Sequence, residues 1–397
     1  MNDLFPKIPV EEFTTRLKNF KEKMYKNNID LTIVYSNLCD PSAVRYFADV
    51  SPINENIALV IPLEGEPILC SGQACHEWSA YNSKIKAIRI MPEVGEVAGT
   101  EYNLEGQMDF EVLFKELKSL YKVKKIGLIG ELIIPYCITK KAERIFPDAE
   151  IVMAEKLLYE LRVHKSENEI TCIRKACDII SNAFTYAVPR AVEGVTELDI
   201  EADLTYSFLK QGAESACYAL TPMIGSGAER STLCQARNSL RKIKNGEITS
   251  TVGGCCYEGY NGVISTPIVP GKVPDEIKDT IKIGHECLYH LADHMKPGVT
   301  SGELLKIYLD FLKGKGGLDK YSPYGAVHSL GMIECEYPFF GPSTNTVMVE
   351  NMTVAVDVYL KGLSWGSFRI EDTFVIRKDG AAMLTWFNNK YIPEAFR

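Results

Sequence analysis

Two stretches of the chain read alike: Gly194-Val195-Thr196-Glu197-Leu198-Asp199 and, further along, Gly298-Val299-Thr300-Ser301-Gly302-Glu303. In each, a threonine stands at an N-cap position with an acid three residues later, the pattern of a capping box. The helices they open are predicted to run to Phe208-Leu209-Lys210 and Phe311-Leu312-Lys313, with Gly212 and Gly314 supplying left-handed stops. A long helical pattern precedes the first unit, with Ile170, Ile173, Cys177, Ile180 and Phe184 on one face. Another long helix precedes the second unit, and strand patterns follow both. The order helix, capped helix, strands thus occurs twice. It predicts an α+β domain with an internal pseudo-twofold duplication and a site between its halves.

The strands of the second half carry unusual residues. From Thr353 to Tyr359, Val354, Val356 and Val358 alternate with Ala355, Asp357 and Tyr359, and Arg369, Glu371 and Thr373 share one face of the next strand. The two strands are predicted to pair through a turn at Leu363 to Gly366. Acids are disfavoured within strands. Either these face solvent on a half-exposed sheet, or they line a functional site.

Upstream, Phe13, Leu17, Phe20 and Met24 recur at helical spacing, as do Phe114, Leu117 and Tyr121. Strand-like runs occupy Leu31 to Tyr35, Ile57 to Ile61, Ile126 to Ile129 and Ala149 to Met153. This is a self-contained α/β domain over residues 1–155, with the second domain over 160–397.

A chain of 397 residues, 46% hydrophobic and 10% aromatic, has enough apolar surface for two such cores. Its net charge of −8 and lack of a Lys/Arg run argue against nucleic acid as a partner. Residues Met1 to Val10 contain no apolar signal region and no stretch is long enough to cross a bilayer, so the expected location is cytoplasmic. The twelve cysteines are expected to be buried thiols: Cys255-Cys256 and the pair Cys172 and Cys177 lack metal-ligand spacing. His285-Glu286 and His290 are one residue too far apart for a zinc-protease helix, and His290 with His294 lacks a third ligand. Gly225 to Gly227 lacks the residues of a phosphate loop.

His328-Ser329-Leu330-Gly331, the strand ending in Asp357, and Phe368-Arg369-Ile370-Glu371-Asp372-Thr373 resemble three signatures of the creatinase, prolidase and aminopeptidase P family. Gly246-Glu247 through Gly259-Tyr260 to Ile264, and the linker Arg162-Val163-His164-Lys165-Ser166-Glu167, are similar to further family segments in the same order. The resemblance implies the pita-bread fold for the C-terminal domain. It also implies a site of two divalent ions held by two aspartates, one histidine and two glutamates. Aligned on Gly259-Tyr260, the aspartate positions hold Val252 and Val263, and the others hold His328, Asp357 (for a glutamate) and Glu371.

Valine has no lone pair to offer a cation. The resemblance then points to creatinase, the metal-free member. The expectation is a metal-independent hydrolase, without cofactor, that cleaves a C–N bond in a small nitrogen-rich molecule, as creatinase or ectoine hydrolase does. His328 would be the general acid/base, Glu371 and Asp357 would orient water or a guanidinium-like group, and Arg369 would steady the acids or a developing oxyanion. Gln235, Ser265 and Tyr260 are expected polar contacts. Gln235, Ser265 and Glu55 differ from the residues creatinase uses, which points away from creatine, and an acid at the site mouth, Glu55, favours a cationic ligand. A homodimer is expected, each N-terminal domain capping the partner's site. Two other readings stand: a catalytically silent ligand- or peptide-binding module, and a one-metal Xaa-Pro-type peptidase using His328, Asp357 and Glu371.

Overall fold

The computed structural model describes residues 5–96, 108–217 and 221–397. The chain divides into two compact units, Ile8–Arg162 and Val163–Arg397, with the residues before Ile8 grouped with the second.

The first unit runs α1 (Val10–Lys26), β1 (Leu31–Ser36), α2 (Ser42–Ala48), β2 (Ile57–Pro62), β3 (Ile68–Ser71), α3 (His76–Asn82), β4 (Ala87–Ile90), α4 (Phe110–Leu120), β5 (Lys125–Ile129), α5 (Tyr136–Ile145), β6 (Glu150–Met153) and α6 (Glu155–Arg162). Its six strands order as β4-β3-β2-β1-β5-β6. β1 and β2 are buried along their whole length, as expected of apolar runs covered on both faces. One core cluster packs Leu31, Ile33, Val60, Phe110, Phe114 and Ile126 together.

The second unit continues with α7 (Glu167–Ala187), α8 (Glu197–Lys210), β7 (Ser215–Ala216), β8 (Met223–Ser226), α9 (Gly227–Arg230), β9 (Thr249–Tyr257), β10 (Tyr260–Ile268), α10 (Asp275–Ala292), α11 (Ser301–Gly314), β11 (Val327–Ser329), β12 (Thr353–Leu363), β13 (Gly366–Arg377), β14 (Gly380–Met383) and α12 (Phe387–Ala395). The strands form one eight-stranded sheet whose main path is β11-β12-β13-β10-β9-β7.

The duplication read from the sequence is present in detail. Thr196 and Thr300 both cap their helices through reciprocal boxes with Asp199 and Glu303. Each segment is then tied down by a matching bridge, Thr196 to Lys242 and Thr300 to Val347. α7 packs on the β9–β10 hairpin, and α10 packs on the β12–β13 hairpin. The two halves differ at the helix ends. Gly212 is left-handed as expected, but α11 includes Gly314, and the left-handed stops are Gly316 and Gly317.

Candidate functional site

In an antiparallel pair, directly opposed residues project to the same face, so the register decides which side chains meet. Val252 on β9 faces Ser265 on β10, Ser265 faces Glu371 on β13, and Glu371 faces Asp357 on β12. These four form one row across the sheet. Two residues along lies a second row: Gly254 opposite Val263, and Thr373 opposite Ala355, itself opposite His328 on β11. Thr373 Oγ1 closes that row by accepting from the Val263 N–H and donating to its carbonyl. On the other side, Arg369 faces Tyr359. The strand periodicity therefore brings His328, Asp357, Glu371, Arg369 and Ser265 to one face, with Val252 and Val263 among them.

Asp357 is 5% exposed and Glu371 1%. The half-exposed sheet considered from the sequence is thus excluded: α10 packs on the opposite face, against Phe368 and Ile370, while the loop residues Tyr324 and Cys234 close over the face that carries the acids. Both oxygens of Glu371 are engaged: Oε2 accepts from the Ser265 hydroxyl at 2.6 Å, and Oε1 lies 3.1 Å from His328 Nε2. The same Nε2 is 3.4 Å from Glu334 Oε1. Burial alone would lower the His328 imidazole, but Glu334, with Cys335 and Glu371, outweighs it and raises the group well above its ordinary value.

Asp357 faces the other way for its partners. Its Oδ2 accepts from the Tyr324 hydroxyl, while Oδ1 is buried without a hydrogen bond. Burial raises its carboxyl above the usual range, opposed by Arg369 and reinforced by Glu371. Arg369 stacks over Tyr359 at 4.4 Å and places Nη2 2.8 Å from the Cys234 sulfur. A cleft reaches this face at Ser250, Val252, Tyr359, Arg369 and Cys234.

The other expected contacts lie elsewhere. Tyr260 is buried, and its hydroxyl donates to Glu169 Oε1 at 2.9 Å, so it packs β10 against α7 and is corrected to a structural residue. Gln235 is exposed and lines a different cleft with Leu198, Glu201, Met223 and Asn238. Glu55 is 1% exposed inside the first unit, where its carboxylate accepts from the N–H groups of Cys75 and Glu96. A carboxylate satisfied in this way has a structural partner set, in place of the position at a site mouth that the sequence alignment suggested.

The sequence reading missed Glu334, Tyr324, Cys234 and Cys335. All four sit on loops, where no periodicity marks which residues converge. The cysteine expectation also needs refinement: all twelve are free, but Cys39, Cys137, Cys234 and Cys335 are exposed.

The residues decide which metal set is possible. Val252 and Val263 are 5% and 0% exposed and present only methyl groups, so a five-ligand, two-ion site does not fit. Ligand atoms of His328, Glu334 and Glu371 do lie within 4.8 Å of one another, which suits a single ion. Asp357, expected in the one-metal set, is outside this group of three.

The model of metallopeptidase family M24 matches residues 171–378, more than half of the chain. The Xaa-Pro dipeptidase of Pyrococcus horikoshii is 28% identical over 373 residues, covering 93% of this chain and 96% of that protein. The Xaa-Pro dipeptidase of Pyrococcus furiosus is 27% identical, covering 93% and 97%. Among solved structures, the Pyrococcus horikoshii prolidase superposes with a TM-score of 0.78 at 26% identity, covering 94% of this chain and 98% of that one. The Thermotoga maritima X-Pro aminopeptidase reaches 0.81 at 22% identity, a likeness of fold. These whole-length relatives overturn the expectation of a metal-independent, creatinase-type C–N hydrolase and point to peptide hydrolysis. The sequence, the pita-bread fold and the retained C-terminal signatures agree, and the chain belongs to metallopeptidase family M24.

Proposed function

We propose that this chain is a peptidase of the Xaa-Pro dipeptidase type that works with one divalent ion at the His328 and Glu371 end of its pocket. The observation that carries this reading is the similarity to two Xaa-Pro dipeptidases across nearly the whole of both chains. The retained His328, Glu371 and Arg369 on one sheet face support it. A bound divalent ion would supply a Lewis acid for the scissile carbonyl and lower the pKa of a water.

The chain's own residues do the rest. Ser265 and His328 fix both oxygens of Glu371, so its carboxylate cannot swing away. Arg369, whose cationic form is favoured by Asp357 against the cost of burial, presents positive charge to the cleft at Tyr359 and Val252. That charge suits a peptide's C-terminal carboxylate or a developing oxyanion. The homodimer expected from the family resemblance is kept as part of the proposal, and size-exclusion chromatography with light scattering tests it.

The test is hydrolysis of Xaa-Pro dipeptides by protein supplied with Mn²⁺, Co²⁺ or Zn²⁺, read as released proline, with non-proline dipeptides as controls. Proline release is expected, and lost in His328→Ala. A second reading, a silent peptide-binding module, is favoured by Val252 and Val263 alone. Binding of the dipeptide without turnover under every metal would overturn the peptidase in its favour.

A further inference from the structure

His328 sits in a contradiction that its two nitrogens make explicit. Nδ1 lies 3.2 Å from the carbonyl oxygen of Ser329. A carbonyl only accepts, so Nδ1 carries the hydrogen. In the neutral ring Nε2 is then a lone pair, yet it faces Glu371 Oε1 at 3.1 Å and Glu334 Oε1 at 3.4 Å, two further acceptors. Three ligand atoms converge on one point, which holds either the proton of a charged ring or a cation between them.

The spacing also suits a metal ion. Nitrogen and oxygen ligands about 2.0–2.2 Å from a tetrahedral ion lie roughly 3.3–3.6 Å from one another, close to the separations of 3.1 and 3.4 Å found here. An imidazole that donates its other N–H to a backbone carbonyl is the usual arrangement of a metal-bound histidine, since the hydrogen bond fixes tautomer and ring plane. Two carboxylates balance the charge of a divalent ion. A further buried acceptor, the unpartnered Oδ1 of Asp357, projects from the same sheet face directly opposite Glu371.

Glu334 reaches this point because its loop is held. Glu336, two residues on, pairs with Lys165 at 2.7 Å in a fully buried ion pair and accepts the Met332 N–H. Gly331 admits this arrangement: a Cβ there would stand 2.3 Å from Glu336 Oε1. A backbone bridge from Ser329 to Glu336 closes the loop. Glu334 occupies none of the five positions at which the family resemblance places metal ligands.

We propose that the chain carries a mononuclear divalent-cation site formed by His328, Glu334 and Glu371, in which Glu334 supplies an anionic oxygen that Val252 and Val263 lack. Asp357 stays outside the coordination set, its Oδ2 committed to the Tyr324 hydroxyl. This deepens the peptidase reading and rests on its single-ion clause.

The test compares wild type, Glu334→Gln and Asp357→Asn. Each is loaded separately with Zn²⁺ or Mn²⁺, dialysed, and analysed for metal per chain by mass spectrometry, with affinity from competition against a chromophoric chelator. Circular dichroism melts confirm that each variant is folded; Glu334 is part-exposed on a loop, so its variant should melt as wild type does. The expected result is one ion per chain in wild type, at least about tenfold weaker binding in Glu334→Gln, and a smaller change in Asp357→Asn. Wild-type affinity in Glu334→Gln, a larger loss in Asp357→Asn, or no stoichiometric ion in wild type would each overturn the site. The two proposals fail separately. Proline release by an ion-free chain would end the site and keep the peptidase, while an ion bound through Glu334 without turnover would do the reverse.

Discussion

The two halves of the second unit share a scaffold and differ in what they bring to the pocket. Each has a long helix, a boxed threonine cap and a hairpin packed beneath. Yet β9 and β10 contribute Val252, Val263, Gly254 and the hydroxyls of Ser250 and Ser265, whereas β11, β12 and β13 contribute a histidine, two acids and an arginine. The lesson is that scaffold and chemistry are specified separately. Caps and apolar faces keep the duplicated fold, while single inward positions on a strand set the charge of the site.

This contrast can be broken most sharply in the charged half. His328→Ala should lower kcat/KM for an Xaa-Pro dipeptide by at least about a hundredfold, the low end of what a positioned acid, base or ligand contributes. Val252→Ala in the apolar half should change it only a few-fold. Comparable losses in both assays would end the division between the halves.

Adding carboxylates to the apolar half tests why it is apolar. The double variant Val252→Asp with Val263→Asp places two uncompensated acids at buried positions. The metal-free protein should lose about 3 kcal/mol or more of stability in urea. Excess Mn²⁺ should restore much of it and raise the metal content to two per chain. A metal-independent stability would refute the view that these valines relieve a charge.

The shared scaffold makes a smaller, symmetrical prediction. Thr196→Ala and Thr300→Ala each remove a hydroxyl that accepts the N3 backbone N–H. Each should cost about 1 kcal/mol by urea denaturation. A clear inequality would mean that the halves are alike in geometry and not in energetics.

The long helices supply the subtlest difference, since α10 carries a partly buried histidine and α7 carries none. Burial lowers the His285 imidazole to about 4, and its Nε2 has no hydrogen-bond partner. The unfolded chain, at about 6.5, takes the proton first. Stability from this residue is therefore full above pH 6.5 and is lost progressively as pH falls toward 4. His285→Phe should reduce the drop in Tm between pH 7 and pH 5, and an unchanged drop would place the acid sensitivity elsewhere.

Much of this was legible in the chain. The capping boxes, the helix faces and the alternation at Val354, Val356 and Val358 are local patterns, so they appear in the structure where periodicity put them. His328, Asp357 and Glu371 were found through motifs on strands, whose register then carried them to one face. Gln235, Tyr260 and Glu55 were placed by alignment alone, and their hydrogen bonds and burial put them in other surroundings. Val252 and Val263 at the aspartate positions were over-read as a loss of peptidase character, against the similarity to Xaa-Pro dipeptidases along the whole chain.

The sequence by itself determined the fold, the duplication and the absence of two aspartates, because these depend on periodicity and on residue identity at motif positions. Only the tertiary structure decided that Glu334 meets His328 and Glu371, that Asp357 is taken by Tyr324, and that Glu55 is spent on backbone amides. Those contacts join loops to distant strands, and no local rule fixes where a loop side chain ends. The physical reason is that packing and charge pairing act through space, across separations that the order of residues does not encode.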